Sequence, residues 1–241
     1  MSTARLMQMA AAGVSSASAP TLVGIENTVT TGSTVSLTLP AGILSGDIIV
    51  IFVGVDGTPT ASITGFSQDI AAAGGWAISS SYYVFSKTSD GSEGSSVTLT
   101  LNASESVCAS CWGITGADSI AFSSTANSST VNPNSPSLTS GFGAVPTFWI
   151  SSFATDNGSP TISAYPSAYG NGQSLSLSAD HGSTRLGVSS KIDSVATEDP
   201  PAYTISSAHP AISVTVAVGN APASSWTDPD LANASYDSVA I

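Results

Sequence analysis

The feature that most limits how this chain can fold is that it is written twice. The stretch "DIIVIFVGVDGTPTASITGFSQ" (Asp47–Gln68) has its counterpart in "TFWISSFATDNGSPTISAYPSAY" (Thr147–Tyr169), so that Asp56 falls on Asp156. One inserted residue then brings Pro59 opposite Pro160. Further on, "SYYVFSKTSDGSEGSSVTLTLNASESVCASCWGITGA" falls on "TRLGVSSKIDSVATEDPPAYTISSAHPAISVTVAVGNA", with Lys87 opposite Lys191. Upstream, "VSLTLPAG" matches "PSLTSGFG". A unit of roughly 100 residues is too long for a solenoid repeat and suits a half-domain.

Each half reads as five strands: a short entry strand, an apolar strand, a longer alternating strand, a Thr/Ser-rich strand and a closing apolar strand. In "SSVTLTLNA" the residues Val97, Leu99 and Leu101 share one face and Thr98 and Thr100 the other. "AISVTVAVG" alternates likewise, with Ile212, Val214 and Val216 together. Ile48–Val55 is apolar on both faces, which places it where both are covered or partly covered. Turn signals separate the runs at Asp56-Gly57, Asp90-Gly91, Asn132-Pro133, Asn157-Gly158 and Asn171-Gly172. Many short strands without a long helical pattern predict an all-β protein. The expected fold is a jelly-roll-like β-sandwich of about ten strands built from two repeated halves, with an N-terminal arm and a C-terminal tail. The expected boundaries are residues 1–20 for the arm, 21–220 for the sandwich (halves 21–120 and 121–220) and 221–241 for the tail.

Charge excludes some partners. The net charge is −12, and Arg5, Lys87, Arg185 and Lys191 are the four cations. Nucleic-acid binding needs several Lys/Arg–phosphate contacts, so no nucleic acid is expected as a partner. The same acidity opposes an anionic lipid surface, and the run Ile48–Val55 is strand-sized, so no membrane contact is expected. The opening "MSTARLMQMAAAGVSSASAP" has one Arg, a short apolar run and Ala17-Ser18-Ala19, but Gln8 interrupts the run. It is taken as an arm with Leu6, Met7, Met9 and Ala10 on one apolar side, not as a secretory signal.

Several constellations invite chemistry. Cys108 and Cys111 form a CxxC, but a structural zinc site needs two more ligands at workable spacing, and His181 and His209 are far along the chain. In an extended strand residues three apart point to opposite faces, so the two thiols are expected to be neither bonded to each other nor metal-bound. Asp180-His181 among many serines hints at a triad, but G-x-S-x-G is absent. Glu93 and Glu198 lie in matching loops, which favours a shared turn-holding role over a glycosidase pair. The acidic loops and Asp228/Asp230 lack EF-hand spacing, and solvated acids are the expected state. Tyr82, Tyr83, Tyr165, Tyr169 and Trp226 could make a sugar platform; Tyr82 and Tyr83 are adjacent, so one must face out of the sheet, while Trp112 and Trp149 sit in apolar strands as core. No catalytic, cofactor-binding or metal residues are assigned.

"GDIIVIFVGVDGTPT", "SKTSDGSEGSSVTLTLNASES", "NPNSPSLTSGFG" and "ATEDPPAYTISSAHPAISVTVAV" resemble a recurrent family of phage-encoded virion proteins of the β-sandwich type. That family carries a GDLLL-type strand, a DGTPT turn, a DGTEG loop and an (S/T)EDP segment. The resemblance spans Thr21 to Ala223 and departs where relatives have a Pro-Ala-Gly-Trp turn, here Thr64-Gly65-Phe66. It implies a structural or host-facing virion role with no catalytic residues to carry over; the leading expectation is a non-enzymatic capsid decoration or cement protein, with other capsid or tail subunits as partners and a homo-oligomer. A tail-associated or adhesive carbohydrate-binding module is the second expectation, since the same sandwich would serve it. The arm and tail hold apolar groups with no evident home in the sandwich: Leu6, Met7, Met9, Trp226, Leu231, Tyr236 and Ile241. These are the expected subunit contacts, because burial between chains recovers about 1.5–3 kcal/mol for each large side chain otherwise left in water.

Overall fold

The computed structural model describes residues 18–73, 80–179 and 182–221. Most of the expected arm and tail, with all seven expected contact residues, lies outside this range, as do Asp180 and His181. The described chain is all-β, with fifteen strands. In order they are β1 (Thr21–Thr38), β2 (Ile48–Asp56), β3 (Ala61–Ile63), β4 (Ser67–Ala73), β5 (Ser80–Thr88), β6 (Ser96–Thr115), β7 (Ser119–Thr130) and β8 (Leu138–Thr139). The rest are β9 (Thr147–Thr155), β10 (Ile162–Ala164), β11 (Gly170–Ala179), β12 (Gly182–Asp193), β13 (Thr197–Glu198), β14 (Thr204–Ile205) and β15 (His209–Gly219).

Two antiparallel sheets pack face to face, and each comes from one half of the chain. The first has the order β1-β6-β2-β5-β4, with β3 beside β6, and the second the order β7-β15-β9-β12-β11. Numbered among its own five strands, each path runs first, last, second, fourth, third. The register recurs too. Ile48 lies opposite Thr88 and Ile114, and Phe148 lies opposite Ile192 and Val218. Those partners differ by 100 residues on the apolar strand and by 104 on its neighbours, the offsets already present in the sequence.

Between the sheets lies the main core. Val50, Phe52, Tyr82, Val84 and Trp112 of the first sheet meet Phe148, Ile150, Leu186, Val188, Val214 and Val216 of the second. Trp112 is met edge-on by Phe52 and Phe148, with ring centroids 6.4 Å away in both cases. Each sheet also has a covered outer face. On the first, Ile49, Ile51, Val53, Tyr83 and Phe85 pack under Leu37, Ile63, Leu99 and Leu101. On the second, Phe153 packs with Tyr203, Ile205 and Ala211, and Trp149 with Leu138 and Phe142. This is why Ile48–Val55 is buried along its whole length.

The strand inventory differs from the sequence-based expectation in one instructive way. The Thr/Ser-rich and closing strands of the first half are one strand, β6, twenty residues long and paired along its length with β1. In the second half the equivalents are split into β7 and β8 and into β14 and β15. Proline explains the asymmetry. Pro133 and Pro136 lie between β7 and β8, Pro200 and Pro201 just before β14, and Pro210 at the start of β15 where the register shifts, each a place where a missing N–H interrupts a ladder; β1 and β6 contain no proline. The edge strands β4 and β11 were not expected, because their Ala- and Gly-rich sequences carry few β-branched residues.

Candidate functional site

The repeated polar groups come first. Lys87 on β5 bridges Asp90 (2.9 Å) and Glu93 (2.9 Å) in the loop before β6. Lys191 on β12 bridges Asp193 (3.0 Å) and Glu198 (2.8 Å). Glu93 also accepts from Ser89 Oγ and from the Asp90 backbone N–H, and Glu198 accepts from Tyr169 Oη. Lys191 Nζ lies 5.5 Å from the centre of the Tyr169 ring. The two glutamates fasten equivalent loops to equivalent lysines, the turn-holding role expected from their matching positions.

Electrostatics follow from that geometry. Burial alone would raise the Glu93 carboxyl, but hydrogen bonds from Lys87, Ser89 and the backbone hold it at about 2, against an ordinary 4.5. A carboxylate lowered in the folded state stabilises fully above its unfolded value, and that stabilisation disappears as pH falls through the folded value. The expected result is a melting temperature that drops between pH 4.5 and about 2. Glu93→Gln should lower it at pH 7 and flatten the drop. An unchanged acid limb in calorimetry of the variant would show that the Lys87 cluster does not stabilise the fold.

The two cysteines are free and buried. Cys108 faces the inter-sheet core with Trp112, and Cys111 the outer core with Val107 and Ala109. Burial pushes each thiol up to about 12. We expect two thiols to titrate in the denatured, unreduced protein and essentially none in the native protein at pH 8. Finding no thiol after denaturation, or rapid native labelling, would contradict this placement.

Two residues that sequence reasoning had not joined, Glu105 and His209, meet Asp56 and Asp156 at one end of the sandwich. Burial, then the neighbouring Glu105 and Asp156 carboxylates, raise the Asp56 carboxyl above its ordinary value. His209 Nδ1 stands 3.8 Å from Asp156 Oδ1. The Glu105 carboxylate also fills the space beside Gly57, where a Cβ would come within 2.9 Å of Oε1 and the φ of +73° already requires glycine. Arg185 pairs with Thr155, next to Asp156, in the β12–β9 ladder. Its buried guanidinium donates to Gly158 O (2.7 Å) and Ser174 Oγ (2.9 Å), and among the described residues it has no carboxylate partner. Its counterpart Ser81 donates to Gly57 O (3.1 Å), so the same loop carbonyl is held in both halves by different side chains. Only the doubled Asp56 and Asp156 gave a sequence signal for this end. No group of three His, Cys, Asp or Glu among the described residues is arranged to hold a metal ion.

The tyrosines that could have made a sugar platform are engaged elsewhere. Tyr82 donates to Ser152 Oγ (2.6 Å) inside the central core. Tyr83 does face out of the sheet, but it is buried in the outer core with its hydroxyl on Pro59 O. Tyr165 packs edge-on against Tyr203, and Tyr169 is engaged by Glu198 and Lys191. Trp226 lies outside the described residues.

The opposite end of the sandwich is where the chain enters and leaves. Asn220 Nδ2 donates to Gly116 O (3.0 Å) and to Ser18 O (3.5 Å), and the Ala221 N–H donates to Asp118 Oδ1 (2.8 Å). Asn220 and Ala221, which follow β15, are thus tied to the short linker between the halves, and Asn220 also holds Ser18, which precedes β1. Beside them a shallow groove of about 350 Å³ opens between the sheets, lined by Leu22, Phe148, Ile192, Asn171 and Lys191. Ile192 is 49% exposed there. Compared with known proteins, the chain matches no family model, no curated protein and no solved structure.

Proposed function

We propose that this chain is a non-enzymatic structural protein of a phage virion, a decoration or cement protein on the capsid exterior, attached to neighbouring subunits through its arm and tail. One observation carries the reading: the two ends of the sandwich chain emerge side by side at one pole, at Ser18 and Ala221. The flanking sequences with Leu6, Met7 and Met9 on one side and Trp226, Leu231, Tyr236 and Ile241 on the other therefore start from a single point. Apolar segments presented together can be clamped by one neighbour, and burial on both sides offsets the backbone entropy of ordering them, about 1–2 kcal/mol per residue. The resemblance of four segments to virion proteins supports the same reading.

The experiment deletes residues 1–17 and, separately, 222–241. Folding of the isolated protein is followed by circular dichroism, and attachment by co-sedimentation with particles and by electron microscopy of labelled virions. Folding is expected to survive and attachment to be lost. Normal attachment of both truncated proteins would overturn the proposal. Glycan binding by the isolated domain, without particle association, would favour the adhesive module instead.

A further inference from the structure

The two main sheets have four outer strands: β1, β4, β7 and β11. A free edge offers unpaired N–H and C=O groups to another extended chain, and proteins usually blunt such edges with charges, prolines, bulges or short length. Three of the four are blunted or engaged. β4 has seven residues, carries Asp69 and shifts register between Gln68 and Ile70. β1 carries Glu26 and shifts register twice. β11 shifts register near Gly170 and meets β1 across the sandwich, where Asn27 Nδ2 donates to Gln173 Oε1 (2.7 Å).

β7 is the least protected: its register shifts only at one end, between Asn127 and Thr130, and β4 approaches it across the sandwich. Its twelve residues include no charge and no proline, and its pairing with β15 runs unbroken from Asn127 to Ser119. Ser124, Ala126, Ser128 and Ser129 are exposed along it. The sequence also has a symmetry of its own. Ser123–Ser129 reads Ser-Ser-Thr-Ala-Asn-Ser-Ser, nearly the same in both directions about Ala126. Antiparallel pairing of this segment with itself sets Thr125 opposite Asn127, Ser124 opposite Ser128 and Ser123 opposite Ser129. Each pair is small and able to hydrogen-bond across the strands.

We propose that β7 is a self-association edge, pairing antiparallel with β7 of a second copy and joining two five-stranded sheets into one. Charge favours a copy as the occupant. Each copy carries a net charge of −12, so two copies approach most easily where neither brings a carboxylate. β7 meets that condition, whereas β1 and β4 each carry an acid. The contact is isologous, with the same residues on both sides, and it closes a two-fold dimer without propagating a fibre. It deepens the homo-oligomer part of the attachment reading but does not depend on it, since it concerns the isolated protein.

The test is analytical ultracentrifugation of the full chain over a concentration series. The wild type is expected to dimerise. Ser124→Glu with Ser128→Glu, which sets like charges against each other across the paired strands, should weaken the dimer roughly tenfold or more. Val29→Glu on the β1 edge should leave it intact. Hydrogen exchange is the second readout, independent of the variants: outward-facing amides of residues 123–129 should gain protection as wild-type concentration rises. A wild type that stays monomeric, a dimer unaffected by the two glutamates in a folded variant, or β7 amides with no concentration-dependent protection would each overturn the proposal. Since particle attachment is measured separately by the truncations, failure here leaves that reading standing.

Discussion

Replacing Trp112 by alanine is expected to cost about 3–5 kcal/mol of stability, the usual range for removing a large buried aromatic. For a domain of this size that lowers the melting temperature by roughly 6–20 °C. Trp112 stands at the centre of the contact between the sheets. Phe52 meets it from its own sheet and Phe148 from the facing one, and its indole N–H donates to Ser110 Oγ (2.8 Å). Truncation therefore opens a cavity that both sheets line, and it leaves a buried hydroxyl without that donor. Trp112→Phe keeps a ring between Phe52 and Phe148 and should cost distinctly less. Thermal unfolding of both variants checks this. A melting temperature for Trp112→Ala within a degree or two of the wild type would mean that the sheets do not close through this residue.

The parts of this fold that could be read from sequence are those governed by short-range periodicity. Leu99 and Leu101 alternate with threonines, and Cys108 and Cys111 fall on opposite faces of β6, because side-chain direction in a strand follows from position alone. Ile48–Val55, apolar on both faces, belongs where both are covered or partly covered, and both are covered. The 100-residue offset fixed which strands correspond, and the register of β2 and β9 follows it. What periodicity could not show is what does the covering. Leu138, Phe142 and Tyr203 lie in two-residue strands or irregular segments with no pattern around them. Their burial depends on contacts far away in the chain. Nor does any local rule join Tyr203 to Phe153.

The polar groups divide along the same line. Glu93 and Glu198 were recognisable as a structural pair because they occur twice at matching places. His209 and Asp156 are 53 positions apart in sequence but within 3.8 Å in space, and no spacing motif links them. Arg185 is harder still. It alternates in "TRLGVSSK" like any solvent-facing strand residue, yet it is buried because the 158–174 segment folds over the second sheet. A buried cation among neutral partners cannot be inferred from composition, since charged residues are seldom fully buried without a counter-charge.

Tyr203→Ala is expected to cost about 3–5 kcal/mol, and Tyr203→Phe about 1–3 kcal/mol, because the first removes a cover and the second only a hydroxyl. Tyr203 is fully buried on the outer face of the second sheet. Its ring stands edge-on to Phe153, with centroids 4.7 Å apart, and Tyr165 packs against its other side. Its hydroxyl donates to the Ser151 carbonyl (2.6 Å) and shares a hydrogen bond with Ser189 Oγ (2.8 Å), so it ties the loop to both β9 and β12. The Tyr203 N–H donates to Pro133 O (2.9 Å), which fastens the same loop to the segment after β7. Phenylalanine keeps the ring contacts but leaves the Ser151 carbonyl without that donor. Alanine also removes the partner that packs edge-on against Phe153. Phe153 is closely held on its other side as well: a Cβ on Gly187 would meet its ring at 2.4 Å. Urea unfolding of both variants separates the two contributions. If Tyr203→Ala costs less than about 1 kcal/mol, the covering loop is not part of the cooperative fold. The outer face of the second sheet would then be closed cooperatively only around Trp149, by Leu138 and Phe142.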